Sequence, residues 1–230
     1  MADISTHHQA ELGHHVRQGI AWLAACAEGE NTAALSYAAF ELRFGIERLA
    51  VHYWRALLGR RPEERDLRDM ESFKRIERRI YELAGHQREI DGHFEFMRIV
   101  INSMKIDIPL STPHVGRLSN HWHECSELCH IAWPLASAVP DVRKTAFARL
   151  TEISHSLSDC VGSLGWPVLH DAAFSALRAR FVAGTASAED VVAHIRKTGI
   201  WARAEFPDGR PSQFVGEAVP PTLIEGSTHD

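Results

Sequence analysis

Histidine is the side chain best placed to exchange a proton or hold a metal near neutral pH, and this 230-residue sequence carries 15 of them. Spacing decides what they can do. On a helix, residues four and seven apart share a face, so His-x3-Glu-x2-His offers three donors in a row. The run occurs at His7, Glu11 and His14, and again at His123, Glu127 and His130. Each contains Glu-x-x-His, the unit that di-iron bundles take from two of their four helices. Glu152 and His155 make a further pair. Random placement of these residue types supplies about one such pair, so the excess is small. A di-iron site also wants glutamates on two other core faces, whereas Glu41 and Glu47 share one helix. The favoured expectation is no cofactor, with these residues as polar flanks of amphipathic helices. The alternative is a zinc or iron site at His123, Glu127 and His130.

Other chemistries find less support. Cys125 and Cys129 lie four apart on an apolar helical face, where cysteines behave as small hydrophobes. Cys26 and Cys160 complete a set too small and scattered for a disulfide framework. There is no Gly-x-Ser-x-Gly elbow, no phosphate loop ending in Gly-Lys-Ser/Thr and no dinucleotide fingerprint. Without alternation of strands and helices, a nucleotide-binding α/β domain is excluded. Arginines crowd between Arg60 and Arg79, but Glu63, Glu64, Asp66, Asp69, Glu71 and Glu77 interleave with them. Internal ion pairs on a solvated helix therefore fit better than a phosphate-binding groove.

The elements that must position these residues are helices. A first amphipathic segment begins near Ser5 and continues through Ile20, Leu23 and Ala27. Asn31 or Thr32 caps a second, whose stripe is Leu35, Ala38, Leu42, Ile46, Leu49, Tyr53 and Leu57, with a stop at Gly59. A third runs from Pro62 to Gly85, and a fourth carries Ile90, Phe94, Met97, Ile101 and Met104. Thr112-Pro113 reads as a cap and first-turn proline for a fifth, with Val115, Leu118, Trp122, Cys125 and Cys129 inward. A sixth, capped by Asp141, runs through Leu150, Ile153 and Leu157 to Val161, and a seventh runs from about Pro167 to Phe181. Beyond Gly184 the character changes. Ser187 and Asp190 form a capping pattern for a short helix ending at Gly199, and Ile200–Phe206, a Pro207-Asp208-Gly209 turn and Ser212–Val215 read as a hairpin.

The expected fold is an all-α bundle of about seven helices over residues 1–183, a small helix-plus-hairpin appendage over 184–218, and a mobile tail over 219–230. A hydrophobic share of 45% excludes a mostly disordered chain, and a net charge of -5 argues against a protein that coats nucleic acid. No apolar run approaches a membrane span, and the polar N-terminus lacks a signal-peptide core. The expectation is a cytoplasmic protein with no membrane partner.

Ala38-Ala39-Phe40-Glu41-Leu42-Arg43-Phe44-Gly45-Ile46-Glu47-Arg48-Leu49 resembles the long second helix of HEPN-like bundles. Trp122-x3-Ser126-x3-His130 is similar to an aromatic-x3-Ser-x3-His pattern of some HEPN-like families. Many such proteins are metal-independent ribonucleases whose Arg-x4-6-His site is completed across a dimer. His moves a proton to or from a 2′-hydroxyl or leaving oxygen, and Arg stabilises the charged phosphorane-like state. Four pairs have that spacing, about what chance supplies: Arg79/His86, Arg88/His93, Arg117/His123 and Arg149/His155. Only Arg88 is followed by a polar residue, Glu89, as the family pattern asks. Site residues implied by the resemblance are Glu41, Arg48, Ser126 and His130, with Arg88 and His93. Glu41, Arg48 and His52 are seven and four apart, so one face can present all three. The plainer alternative has Ser126 and His130 hydrogen-bonded inside the bundle to Glu41 or Arg48.

The resemblance implies RNA cleavage or RNA binding, in a defence or toxin-antitoxin setting, by a homodimer. Phe40 and Trp54, which extend the apolar surface of the second helix, agree with self-association. The rival expectation is a non-catalytic dimerisation or adaptor module whose hairpin edge pairs with a protein partner.

Overall fold

The computed structural model describes residues 12–58, 63–64, 68, 73–107, 110–129, 139–162, 166–167, 171–204 and 213–218. Among these the chain forms eight α-helices: α1 (His14–Ala24), α2 (Thr32–Leu58), α3 (Phe73–Ala84), α4 (Gln87–Ser103), α5 (Val115–Cys129), α6 (Pro140–Gly162), α7 (Ala172–Val182) and α8 (Ala188–Thr198). A hairpin of β1 (Ile200–Ala204) and β2 (Gln213–Ala218) follows, antiparallel from Ile200 opposite Ala218 to Ala204 opposite Gln213, with an irregularity at Ala202/Arg203. The fold is the expected all-α architecture with a short capped helix and a hairpin at its C-terminal end.

The contacts divide the chain into two units, and the division does not fall after residue 183. One unit takes the chain up to Gly85 together with His114–Gly162; the other takes His86–Pro113, Ser163–Phe206 and the second strand. The short helix α8 packs into the core of the second unit, where Phe96, Met97 and Val100 of α4 meet Phe174 and Leu177 of α7 and Val191 and Ile195 of α8. It is thus part of a core that also holds α4 and α7.

In the first unit α2 is the axis. Leu35, Ala38, Leu42, Ile46 and Leu49 are fully buried, as a stripe at helical spacing requires. Asn31 caps the helix, its Oδ1 accepting from Ala34 N at 3.1 Å. Helix α1 lies close against it because two glycines remove the side chains that would hold it off. A Cβ on Gly19 would sit 2.6 Å from Leu42 Cδ2, and one on Gly45 would sit 2.9 Å from Val16 Cγ2. Trp122 and Cys125 of α5, and Leu150, Ile153 and Leu157 of α6, complete this core.

Local chemistry explains most of the boundaries. Asp171 caps α7 through Phe174 N at 2.9 Å, and Ser187 with Asp190 forms the expected capping box of α8. One start differs. Helix α5 begins at Val115, and the Thr112 hydroxyl accepts a hydrogen bond from Arg98 Nη2 instead of capping a helix. The expected segments between Ser5 and Glu11, around Gly59–Pro62 and beyond Cys129 to Pro134 lie outside the described residues, as do the turn 207–209 and the tail 219–230.

Candidate functional site

The close approach of α1 and α2 brings His15 against Glu41. His15 Nδ1 lies 2.7 Å from Glu41 Oε2, with the two side chains 21% and 24% exposed. A carboxylate only accepts, so Nδ1 carries the hydrogen, and Nε2 is the nitrogen left to exchange a proton. This is a base with an orienting acid, a unit of general acid–base chemistry. Aromatic rings line the same two helices. His15 packs on Phe44 at 5.4 Å between ring centroids, Phe44 on Phe40 at 4.5 Å, and Trp22 on Tyr37 at 4.9 Å. Tyr37 and Phe40 are 55% and 46% exposed, so the dyad borders an aromatic surface. Spacing puts Tyr37, Glu41, Phe44, Arg48 and His52 along one side of α2, and Glu41, Phe44, Arg48 and His52 are all half-buried.

A second polar cluster is sealed between α2 and α5. Glu47 Oε1 accepts from Trp122 Nε1 at 2.9 Å and from Arg43 Nε at 3.2 Å. The Arg43 guanidinium lies 5.0 Å above the Trp122 ring, a cation–π contact. Arg43 and Glu47 are buried, and with partners satisfied they fix α5 on α2. Cys129 belongs to the same cluster. Burial pushes its thiol up to about 11 although Arg43 pulls the other way, and burial, with help from Cys129, raises Cys125 further. Both stay protonated thiols near neutral pH; Cys125 is buried in the core, as expected, and Cys129 is half-buried at its edge.

Placement of the expected site residues is uneven. Glu41 is paired with His15. Arg48 and His52 share its side of α2, and burial followed by Arg55 holds His52 below the ordinary imidazole range. Ser126 donates to the Trp122 carbonyl at 2.7 Å, one turn back in its own helix, and not to Glu41 or Arg48. His130 lies outside the described residues. Arg88 and His93 belong to the second unit and are not brought together: Arg88 is exposed and His93 is 2% exposed. His93 Nε2 donates to the Pro167 carbonyl at 3.0 Å, its Nδ1 accepts from Arg178 Nη1 at 3.3 Å, and its ring stacks on Trp166 at 4.6 Å. Burial, and then Arg178, push its pKa down to about 4 against the opposing carbonyl bond. His93 is therefore a neutral, hydrogen-bonded core imidazole.

The metal alternative is only partly visible. His123 Nε2 is 3.8 Å from Glu127 Oε1 on an exposed face, while His130, His7 and Glu11 lie outside the described residues. Among the described residues no three His, Cys, Asp or Glu side chains converge on one point. In the arginine-rich stretch, Arg68 pairs with Glu64 and Arg78 and Arg79 pair with Glu82, which agrees with internal ion pairs. No helix among the described residues is long and apolar enough to cross a membrane.

Sequence reasoning passed over His15, the residue that completes the dyad. Its signal was indirect: small residues at 19 and 45 allow two helices to touch, and a histidine one turn before Gly19 then faces the partner's flank. Comparison of the chain with protein-family models, with curated proteins and with solved structures finds no match.

Proposed function

We propose that this chain acts on RNA in the manner of a HEPN-like helical protein, with acid–base work at His15 and Glu41. The carrying observation is the 2.7 Å contact between an imidazole and a carboxylate, both touching solvent, on a face lined with aromatic rings. Cleavage needs a group that takes the proton of a 2′-hydroxyl; His15 Nε2 does this while Glu41 holds the ring and stabilises its charged form. Arg48, on the same side of α2, supplies positive charge toward the phosphate. Tyr37 and Phe40 offer ring faces on which unpaired bases stack. A defence or toxin-antitoxin setting is implied by the resemblance alone.

The test is incubation of the purified chain with total RNA, with and without EDTA, beside His15→Ala, Glu41→Gln and His130→Ala. Cleavage that survives EDTA and falls by about 10²–10⁴-fold in His15→Ala is the expected outcome. Loss with EDTA moves the chemistry to His123, Glu127 and His130. Intact RNA in every lane, with no binding of a labelled single strand, rejects the proposal.

A second reading, the dimerisation or adaptor module, is favoured by one observation: Trp22, Tyr37 and Phe40 remain exposed on adjoining helices.

A further inference from the structure

Left-handed backbone strains any residue that carries a Cβ, so two such residues in a row call for a reason. The turn from α1 into α2 has them. Ala27, Glu28 and Gly29 follow one another with φ of 46°, 53° and 98°. Glycine takes that conformation readily; alanine and glutamate keep it only where the surroundings fix the backbone. Here the surroundings do. Cys26 is fully buried, and its Sγ donates to the Trp22 carbonyl at 3.2 Å. Gly29 lies directly on the first turn of α6, where a Cβ would stand 2.8 Å from the Arg143 carbonyl oxygen. Arg143 Nη2 also lies 3.5 Å from Glu30 Oε2. Asn31 joins the two helices. Its Nδ2 donates to the Ala25 carbonyl at 3.2 Å and its backbone N–H to the Cys26 carbonyl at 3.0 Å, while its Oδ1 caps α2.

We propose that this turn, seated on α6, is the positioning device of the His15–Glu41 pair, with Gly29 and Asn31 as its positioning residues. The close contacts at Gly19 and Gly45 set how near α1 lies to α2. The turn sets the angle and register at which α1 leaves. His15 stands nine residues along α1 from Ala24, about 14 Å at 1.5 Å per residue. A tilt of about 5° at the turn therefore moves His15 by about 1.2 Å, and a reacting constellation tolerates only about 0.5 Å. Such a tilt carries the 2.7 Å contact out of hydrogen-bond reach. Gly29 and Asn31 touch neither member of the pair and act through the direction of α1. The proposal rests on the reading of His15 and Glu41 as the working pair, and its test reads that pair without RNA.

The experiment is nitrogen-resolved NMR of the histidine rings of the full chain at pH 8, with the His15 signals assigned by their loss in His15→Gln. The hydrogen bond that one ring nitrogen makes decides which nitrogen carries the proton. Wild type should therefore show His15 protonated on Nδ1, and Glu41→Ala supplies the released ring for reference. Gly29→Ala puts a methyl against the Arg143 carbonyl at a backbone angle that disfavours it. It should lose most of the Nδ1–H signal and approach Glu41→Ala while circular dichroism stays helical. Ala27→Gly fits the same left-handed backbone and should keep the wild-type signal. A folded Gly29→Ala with the wild-type signal overturns the proposal, as does loss of the signal in Ala27→Gly. If Gly29→Ala is unfolded, Asn31→Asp decides, because it keeps the α2 cap and removes the donor to Ala25. A fall in the Nδ1–H signal there supports the proposal, and an unchanged signal overturns it. RNA cleavage is read in parallel. A moved signal in a chain that never cleaves RNA upholds the positioning and rejects the RNA reading; cleavage lost with the signal unmoved overturns the positioning alone.

Discussion

At the scale of single residues, three histidines show how surroundings set chemistry. His15 keeps a carboxylate partner and contact with water, so its second nitrogen is available for proton transfer. His93 has both nitrogens engaged and is almost fully buried, which pushes its pKa down to about 4. His121 is as buried as His93, but its ring nitrogens make no hydrogen bond and its Nδ1 lies 3.6 Å from Glu124 Oε2. The depressed value at His93 has a measurable consequence. In the unfolded chain an imidazole takes a proton near pH 6.5, whereas the folded chain resists until about pH 4. Stability is therefore full above the unfolded value, falls as pH drops from about 6.5 to about 4, and levels off below. At 1.36 kcal/mol per pH unit the loss is on the order of 3 kcal/mol, as an upper figure. Urea unfolding at pH 7 and pH 4.5 should show this slope in wild type and lose most of it in His93→Gln. An unchanged slope in the variant would locate the acid sensitivity elsewhere.

At the scale of elements, the dyad depends on how closely two helices approach. Gly19 and Gly45 let α1 touch α2, and a methyl group at 19 would stand 2.6 Å from Leu42 Cδ2. Leu42 is fully buried and has little room to give. Gly19→Ala should therefore cost about 1–3 kcal/mol through overpacking, and under the proposed function it should lower RNA cleavage by loosening His15 from Glu41. Gly116→Ala is the control, since nothing lies within 4 Å of a Cβ there. Equal denaturation midpoints for Gly19→Ala and wild type would show that the helices are not tightly seated. Helices were readable in the sequence because a one-sided apolar stripe reports which face is buried. It does not report against what. The stripe of α4 ran Ile90, Phe94, Met97, Ile101; Phe96, off that stripe, is nonetheless fully buried because α7 and α8 cover a second flank. The division into units was hidden for the same reason. Glu41 was readable as a site residue on its helix face, but its partner sits 26 positions away in sequence and required the packed pair.

At the scale of the whole molecule, the question is whether one copy suffices. The chain has a net charge of -5, yet the α1–α2 face carries large rings in contact with water: Trp22 at 39%, Tyr37 at 55% and Phe40 at 46% exposed. Trp22 touches Tyr37, and Phe40 follows Tyr37 one helical turn on, so the three form one patch. Trp54, also expected on an apolar surface, is instead half-buried under the Arg79 guanidinium at 5.2 Å. A two-fold contact is self-complementary and would place this patch against its own copy. It would also set two His15–Glu41 pairs beside one interface, the arrangement that a HEPN-like site completed by two chains requires. Light scattering across micromolar concentrations should then give twice the 25.8 kDa chain mass. Phe40→Glu should return the monomer with unchanged helical content, because Phe40 contributes little to the core. A monomeric mass at every concentration rejects the homodimer, and a dimer that Phe40→Glu leaves intact moves the interface off the α1–α2 face. In that second case His15 and Glu41 would have to work within a single chain, and cleavage by a dilute sample would rise in simple proportion to protein concentration. A composite site predicts a steeper, second-order rise.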